Sequence, residues 1–590
     1  MAEKSTDQFF KTQVLGHPAG LFVLFFTEMW ERFSYYGMRA LLILFLVAKV
    51  ADGGWGWERS EAYALFGWYV MLVYFLPLLG GWVADNKWGH VKTVIVGAAI
   101  ITLGHASMAV ADLQIIGTDL KFMFYIGLFL IVLGTGLFKP NMSSTVGKMY
   151  PAQSEKKDGA YTIFYMGVNS GAFIGTLLVG WIGETFSWTF GFGLAGIFMF
   201  FGLLQFYFAR SIFGKEASTP KLKDSQNTKK EKEIKVPFTS TDNILSIIGG
   251  ILAVTWIVEG ITAVVTRGYH FLPQTFLGYD ISVGFVFFLI SIVIFVILGF
   301  SRLKRFDSVE RGRLKVIFII AFFVIFFWAS FEQAGTTMNI FARDYTNRNL
   351  VDNWALIYKI IDFILSIAPM IVLTWVIYKL AQAIIKKFPL TILFTSISFI
   401  IIWALVIYRV YDKITGDNAL VDTSWFQILN PVFIISLAPL YSKFWEKYKF
   451  SGPQKFFAGF TLLAIGFGML VIGASSIPPG AKTASVSMIW LILAFLFHTM
   501  GELSIAPVGL SYVSKLAPAR MLGFIFGIWY LFIGLSGKLA SIMAEYSDGI
   551  ADESGFSGFF LIFTIIPFVA GLIMLALNKP IKRMMHGIDK

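Results

Sequence analysis

Four ionisable residues lie close together in the first long apolar segment of the chain. Glu28 and Arg32 are four residues apart and share one face of a helix, with Arg39 seven residues further along that face and Glu31 beside them. Four unpaired charges would cost on the order of 10 kcal/mol in a bilayer. The four groups should therefore face a wet or protein-lined interior, as a ligand and proton site or as a purely structural ion-pair network.

Three more ionisable residues interrupt later apolar segments. Lys139 is near enough to one end of its segment for its long side chain to reach the surface, which is the alternative to a buried role. Glu332 and Glu502 have no basic neighbour in the sequence. Because burial disfavours the charged form of a carboxylate, Glu332 is suited to carry a proton. Glu502 is equally suited to bind an ammonium group, and the sequence leaves both assignments open.

The composition excludes most soluble classes of protein. The 590 residues are 57% hydrophobic and only 14% charged, whereas soluble proteins have about 25% charged residues. The hydrophobicity excludes intrinsic disorder, and the absence of cysteine excludes a disulfide framework. Six histidines and no cysteine give little reason to expect a metal site. The chain is predicted to be an all-α polytopic membrane protein.

Sixteen apolar segments are long enough to cross a bilayer as helices. They lie near 21–48, 62–83, 93–111, 121–145, 160–182, 189–209, 243–265, 281–300, 316–341, 356–378, 389–411, 425–444, 456–474, 488–514, 521–544 and 557–577. With the N-terminus inside, the inner loops and tails hold 34 of the 48 lysines and arginines. This asymmetry predicts a multi-pass protein of the cell membrane with both termini in the cytoplasm. It also explains the net charge of +12 without a nucleic-acid partner.

Several motifs in these segments resemble those of a known family. The loop GGWVADNKWGHVK, with Gly81, Asp85, Gly89 and Lys92 between the second and third segments, resembles the signature of the major facilitator superfamily. Within it, the chain is similar to the proton-dependent oligopeptide transporter family, over residues 28 to 509. The matching motifs are Glu28-x-x-Glu31-Arg32 with Tyr35-Tyr36, Gly134-x-Gly136-x-x-Lys139-Pro140-Asn141, Phe164-Tyr165-x-x-Val168-Asn169-x-Gly171, and Gly501-Glu502-Leu503 with Pro507.

The resemblance implies a role for each of these residues. It implies that Arg39 and Lys139 lie near the carboxylate of a bound peptide and that Glu502 receives its amino group. It implies polar pocket residues at Tyr36, Tyr74, Asn169 and Asn430, and aromatic pocket walls at Trp328 and Trp529. It assigns proton coupling to Glu332 and to the cluster of Glu28, Glu31 and Arg32.

The resemblance also implies a division of the chain into bundles. A first six-helix bundle is expected over 1–210, a basic cytoplasmic linker over 211–240, and an inserted helical hairpin over 241–315. The second six-helix bundle is expected over 316–590. A second apolar pair near 356–411 departs from the family pattern and is expected to form a second inserted hairpin. The centre of this second hairpin is almost wholly apolar, so it is expected to pack on the periphery of the second bundle.

One departure concerns proton coupling. Gly67 lies where animal members of the family carry a proton-linked histidine, so coupling here is expected to run through carboxylates.

The function implied by the resemblance is proton-coupled import of di- and tripeptides by alternating access. The expected partners are the peptide, protons and the lipid bilayer; the chain is expected to act as a monomer, with no cofactor besides the coupling proton. The first alternative is a carrier of another zwitterion or anion, such as nitrate, an amino-acid conjugate or a drug-like compound. An intramembrane enzyme is disfavoured, since the sequence has neither H-E-x-x-H nor G-x-S-x-G and His498 has no obvious neighbour. A channel or nutrient receptor is the remaining alternative.

Overall fold

The computed structural model describes residues 12–111, 120–150, 156–214, 217, 237–415, 419–448, 450–518 and 521–588. These residues form nineteen α-helices with well-defined bounds. The helices that include the first seven predicted segments are α1 (Ala19–Val47), α2 (Arg59–Phe75), α3 (Pro77–Val83), α4 (His90–Val110), α5 (Phe122–Lys148), α6 (Lys156–Thr185), α7 (Trp188–Ala209) and α8 (Ser240–Val265). The others are α9 (Val283–Leu303), α10 (Ser308–Phe331), α11 (Thr337–Asp344), α12 (Asp352–Ile384), α13 (Pro389–Thr415), α14 (Leu429–Lys447), α15 (Gly452–Ala474), α16 (Ile489–Leu516), α17 (Leu522–Glu545), α18 (Ser547–Ala576) and α19 (Asn578–Met584).

Each of the sixteen predicted apolar segments is largely helical, and three of them (62–83, 316–341 and 425–444) are divided between two or more helical elements. In the described part of the chain, fifteen helical segments are long and apolar enough to cross a membrane. The helix α1 has the necessary length, 29 residues, but carries the four charged residues noted above. A helix satisfies its backbone hydrogen bonds internally, which is why apolar runs of this length fold as helices in lipid. The segment after α10 departs from a simple helix, because a 3-10 turn over Glu332–Gly335 separates α10 from α11.

The helices pack as two bundles. In the first bundle α1 packs against α6 and α7, and α4 packs against α5 and α7. In the second bundle α15 packs against α16 and α18, and α10 packs against α16 and α17. The bundles meet along α2 and α17, and again where α6 contacts α14 and the 3-10 turn Thr423–Ile428 that precedes it.

The first inserted hairpin, α8 and α9, packs on the outside of α2. The Trp256 ring of α8 lies 4.8 Å from the Trp68 ring of α2 and 4.1 Å from the Phe288 ring of α9. Gly260 of α8 is also in close contact with Trp68. Most of the predicted basic linker, residues 215, 216 and 218–236, lies outside the described residues.

The second inserted hairpin, α12 and α13, does not pack where the sequence predicted. The helix α13 lies against α7 of the first bundle, and α12 contacts α1. Phe399 of α13 contacts Phe26 and Trp30 of α1, with ring centroids 5.8 and 5.5 Å apart. The expected position on the periphery of the second bundle is therefore wrong. The apolar centre of the hairpin predicted a peripheral location, but it carried no information on which bundle is the neighbour.

Three short strand pairs join the loops. β1 (Gln13–Val14) pairs antiparallel with β2 (His17–Pro18), before α1. At the end of the molecule where α1 ends and α2 begins, β3 (Thr346–Asn347) pairs parallel with β6 (Val486–Ser487), and β4 (Asn349–Leu350) pairs antiparallel with β5 (Ala419–Leu420). This end, at which Arg59 begins α2, is called the Arg59 end below. The β4–β5 pair connects the start of the second hairpin to its end, and the β3–β6 pair connects the start of the hairpin to the second bundle.

Candidate functional site

An ion pair between the bundles forms the centre of the site. The guanidinium of Arg39, on α1, donates to the carboxylate of Glu332, which begins the 3-10 turn after α10. The side chains are only 12% and 6% exposed. The guanidinium carbon of Arg39 also lies 5.3 Å from the centre of the Phe66 ring of α2. Glu332 has no basic neighbour in the sequence, and the cation that pairs with it belongs to the other bundle.

A second charged cluster lies within the first bundle. Arg32 Nε donates to Glu28 Oε1 at 2.8 Å, and the same nitrogen lies 3.2 Å from Glu31 Oε2. All three residues are buried. Neither carboxylate oxygen of Glu31 accepts a hydrogen bond from any described residue. Lys139 of α5 lies within electrostatic range of Glu31, and its Nζ is 4.5 Å from the centre of the Tyr74 ring. The Lys139 side chain therefore points into the protein rather than to its surface.

Glu502 of α16 differs from the other acids of the site. Its Oε2 accepts a hydrogen bond of 2.8 Å from Asn430 Nδ2, and the same amide nitrogen donates to Thr499 Oγ1 at 3.1 Å. Among the described residues no lysine, arginine or histidine pairs with Glu502. Asn430 holds the carboxylate in place while its charge is left without a cation.

Tyr36 shows that these groups share one site. Its hydroxyl lies within electrostatic range of Arg32 and Arg39 and also of Glu332 and Glu502. Two cations of the first bundle and two carboxylates of the second therefore lie near one partly exposed tyrosine. The site thus combines positive groups of the first bundle with a carboxylate of the second that pairs with no cation among the described residues.

The remaining predicted pocket residues lie on α6, α10 and α17. Asn169 of α6 donates to the backbone oxygen of Tyr165 at 2.9 Å. Tyr165 is 46% exposed and lies within electrostatic range of Glu502. Trp328 packs between Phe327 and Phe331, with ring centroids 5.4 and 5.2 Å away.

Trp529 has a more buried position than a pocket wall requires. It is 3% exposed, and its ring lies against Gly509, which brings α16 and α17 together. The binding roles of Trp529 and of the other predicted residues stay predictions.

The sequence did not indicate two groups of contacts at the Arg59 end. Arg59 of α2 donates to Asp344 and to Asp548, at 2.8 Å in each case, and so joins the bundles a second time. The carboxylate of Glu184, on α6, accepts hydrogen bonds from the backbone nitrogens of Thr423 and Ser424, both at 2.8 Å. These residues lie at helix ends and in loops, where charge is common, so the sequence alone gave no reason to single them out.

Within the described ranges no three histidine, cysteine, aspartate or glutamate residues are grouped so that they could hold a metal ion. The charged and polar side chains of the site can form ion pairs and hydrogen bonds, and its carboxylates can take up protons.

Comparison with known proteins identifies the family. A family model described as the POT family matches residues 91–415 and 402–556. The peptide transporter YePEPT of Yersinia enterocolitica is 32% identical over 579 residues, which cover 97% of this chain and 96% of that protein. A di-/tripeptide transporter of Lactococcus lactis is 30% identical over 585 residues, with 97% of both chains covered. The crystal structure of peptide transporter POT in complex with sulfate has a TM-score of 0.69 at 29% identity, covering 99% of both chains. The chain belongs to the POT family and is a multi-pass membrane transporter.

Proposed function

We propose that this protein is a proton-coupled symporter that imports di- and tripeptides by alternating access. The observation that carries the proposal is the charge arrangement around Tyr36. A peptide with free termini is a zwitterion, and the site offers cations at Arg39 and Lys139 and an unpaired carboxylate at Glu502. Such a site favours a ligand that carries both charges at a fixed separation, which limits its length. The two relatives named above are peptide transporters, which supports the same substrate class.

The ion pair of Arg39 and Glu332 suggests how a proton is coupled to the peptide. In this structure the Arg39 guanidinium, to which a peptide carboxylate would bind, is paired with Glu332. A proton taken up on a carboxylate oxygen of Glu332 removes its charge and weakens its hold on Arg39. Arg39 is then free to bind the peptide carboxylate. Because the pair joins the two bundles, its release also removes one barrier to their relative movement.

The cluster of Glu28, Glu31 and Arg32 is a second group whose protonation state changes during transport in this proposal. Glu31 pairs with Arg32 at 3.2 Å and lies within range of Lys139. A peptide carboxylate that attracts Lys139 would leave Glu31 with less positive charge around it. Uptake of a proton by Glu31 would then restore the balance, so this cluster responds to both proton and peptide.

The orientation and division of the chain are also part of the proposal. We place both termini in the cytoplasm of a cell-membrane protein that works as a monomer, with the Arg59 end outside. The first bundle comprises 1–210 and the second 316–590, with 211–240 as a cytoplasmic linker and 241–315 as the first hairpin. In this orientation the contacts of Arg59 and Glu184 close the pathway on the outside.

Uptake into liposomes tests the proposal directly. Purified protein is reconstituted, and accumulation of labelled dipeptide is measured with and without an imposed proton gradient. One charge moved through 100 mV supplies about 2.3 kcal/mol, so one proton per peptide supports roughly fifty-fold accumulation. Competition by unlabelled di-alanine identifies a peptide site. Failure of di-alanine to compete would indicate another zwitterion or anion, and equilibration without accumulation would indicate a channel.

A further inference from the structure

The second hairpin is attached to the first bundle over the full length of α13. Near the start of this helix, Thr391 Oγ1 donates to the backbone oxygen of Gln205 on α7 at 3.2 Å. Near its other end, the Tyr408 ring lies 5.8 Å from the ring of Trp181 on α6. The contacts of Phe399 with α1 lie between these two. The hairpin is therefore built into the first bundle, although the chain enters and leaves it from helices of the second.

A buried charge cluster lies where the hairpin returns to the second bundle. Arg409 of α13 forms two hydrogen bonds with Asp362 of α12, at 2.7 and 3.0 Å, and both side chains are at most 2% exposed. Asp422, at the start of the turn before α14, lies 2.7 Å from Lys413 Nζ and 3.6 Å from Arg409 Nη2. In that turn Trp425 Nε1 donates to Asp362 at 3.2 Å. We call these five residues the clamp.

The clamp acts on the segment that joins the bundles at the Arg59 end. The nitrogens of Thr423 and Ser424, which follow Asp422 directly, donate to Glu184 of α6. Gly180 of α6 leaves room for Ser424, since a Cβ at this glycine would lie 2.1 Å from the Ser424 hydroxyl oxygen. The turn before α14 is thus held on the first bundle by α6 on one side and by the hairpin on the other.

Resting on the proposed function, we infer that the clamp holds the beginning of α14 against the first bundle and sets how often the pathway opens at the Arg59 end. Opening there requires the turn Thr423–Ile428 to separate from α6. Because the hairpin stays on the first bundle, separation also breaks the contacts of Asp422 with Lys413 and Arg409. Asp422 therefore acts as a positioning residue, because it stabilises the state of the transporter that is closed at the Arg59 end.

Distance measurements between spin labels test this inference without any substrate. The sequence has no cysteine, so Ala51→Cys and Thr483→Cys provide two label sites and no background. Both residues are exposed at the Arg59 end, Ala51 in the first bundle and Thr483 in the loop between α15 and α16. The protein with this pair is placed in lipid nanodiscs, and its distance distribution is compared with those of Asp422→Asn and Arg409→Gln variants.

Asp422→Asn should increase the ratio of the long-distance to the short-distance population by about fivefold or more. The substitution keeps the size of the side chain and removes its charge, so this variant should fold. Arg409→Gln should shift the ratio in the same direction if it folds. The matched control is Lys482→Gln, which breaks the exposed pair with Asp552 inside the second bundle and should leave the distribution unchanged.

Two outcomes would overturn the inference. One is an unchanged distribution in folded Asp422→Asn protein, and the other is an equal shift in the Lys482→Gln control. Neither outcome depends on the substrate. A protein that fails to transport peptides contradicts the proposed function, whereas a protein that transports peptides with an unchanged distance distribution contradicts only the role of the clamp.

Discussion

Arg39 and Glu332 pair across the interface of the two bundles, although 293 positions separate them in the chain. Glu332 thereby binds the same guanidinium that is proposed to bind the carboxylate of the peptide. Under the proposed function, the substrate and Glu332 compete for this one cation, and a proton on Glu332 decides between them. The following predictions test the parts of this arrangement.

Glu332→Gln should separate peptide exchange from proton-driven uptake. The amide cannot take up and release a proton, so net accumulation driven by a pH gradient should be lost. Exchange of labelled for unlabelled peptide across the membrane should persist, because it needs only the loaded carrier to reorient. Counterflow and gradient-driven uptake in the same liposomes measure the two activities. Preserved accumulation would exclude Glu332 as the proton carrier.

Glu502→Gln should abolish binding of unmodified dipeptides. The amino terminus of the peptide loses its counter-charge in a desolvated site, at a cost of about 2–5 kcal/mol. Asn430 can still donate to the new amide oxygen, so the local fold should be retained. N-acetylated dipeptides, which lack the positive charge, serve as the control and should lose little. Calorimetry with both ligands checks the prediction, and equal losses would assign Glu502 a structural role.

Arg39→Ala should weaken binding of peptides with a free carboxylate far more than binding of the corresponding peptide amides. The guanidinium is the group proposed to pair with the peptide carboxylate, and an amide has no charge to lose. The substitution also leaves Glu332 without its cation, so the double variant with Glu332→Gln is the matched control. Similar losses for acids and amides in the double variant would place Arg39 in the internal ion-pair network alone.

Gly67→Ala should hold α2 and α17 apart. A Cβ at residue 67 would lie 2.0 Å from the hydroxyl oxygen and 2.3 Å from the Cβ of Ser541, so rotation of the serine cannot relieve the clash. Overpacking of this kind costs about 1–3 kcal/mol. The closed state should lose that stability, and dipeptide uptake should fall. Gly250→Ala is the control, because no atom lies within 4 Å of its new Cβ.

A second substitution, at Ser541, tests whether the loss of uptake in Gly67→Ala comes from this clash. Ser541→Gly removes the atoms that the alanine would meet, so the double variant Gly67→Ala/Ser541→Gly should recover uptake. Failure of this rescue, with both variants folded, would mean that the interface between α2 and α17 tolerates the extra methyl group and that the loss has another origin.

The sequence predicted the helices well because their signal is local. An apolar run of about 20 residues in lipid has few alternatives to a helix, whatever its neighbours. The charges within the apolar segments also singled out Glu332 and Glu502, which the structure places near Tyr36 and whose roles stay predictions. The partner of Glu332 was not predictable, since Arg39 is distant in the chain and no periodicity relates the two. The pair of Arg409 and Asp362 was not predictable for a similar reason, because it forms only when α12 and α13 fold together.

The attachment of the second hairpin to the first bundle has a consequence for how the protein is made. A ribosome completes α1, α6 and α7 before it reaches α12 and α13, so the docking surface of the hairpin exists when the hairpin emerges. The helices α14–α18 have not yet been synthesised at that moment. A nascent chain that ends after α13 should therefore already contain the contacts of Phe399 and Thr391 with the first bundle. The clamp residues Arg409 and Asp362 would then be in place to receive Asp422 and Trp425, so the first bundle would act as the template on which the remainder of the second is assembled.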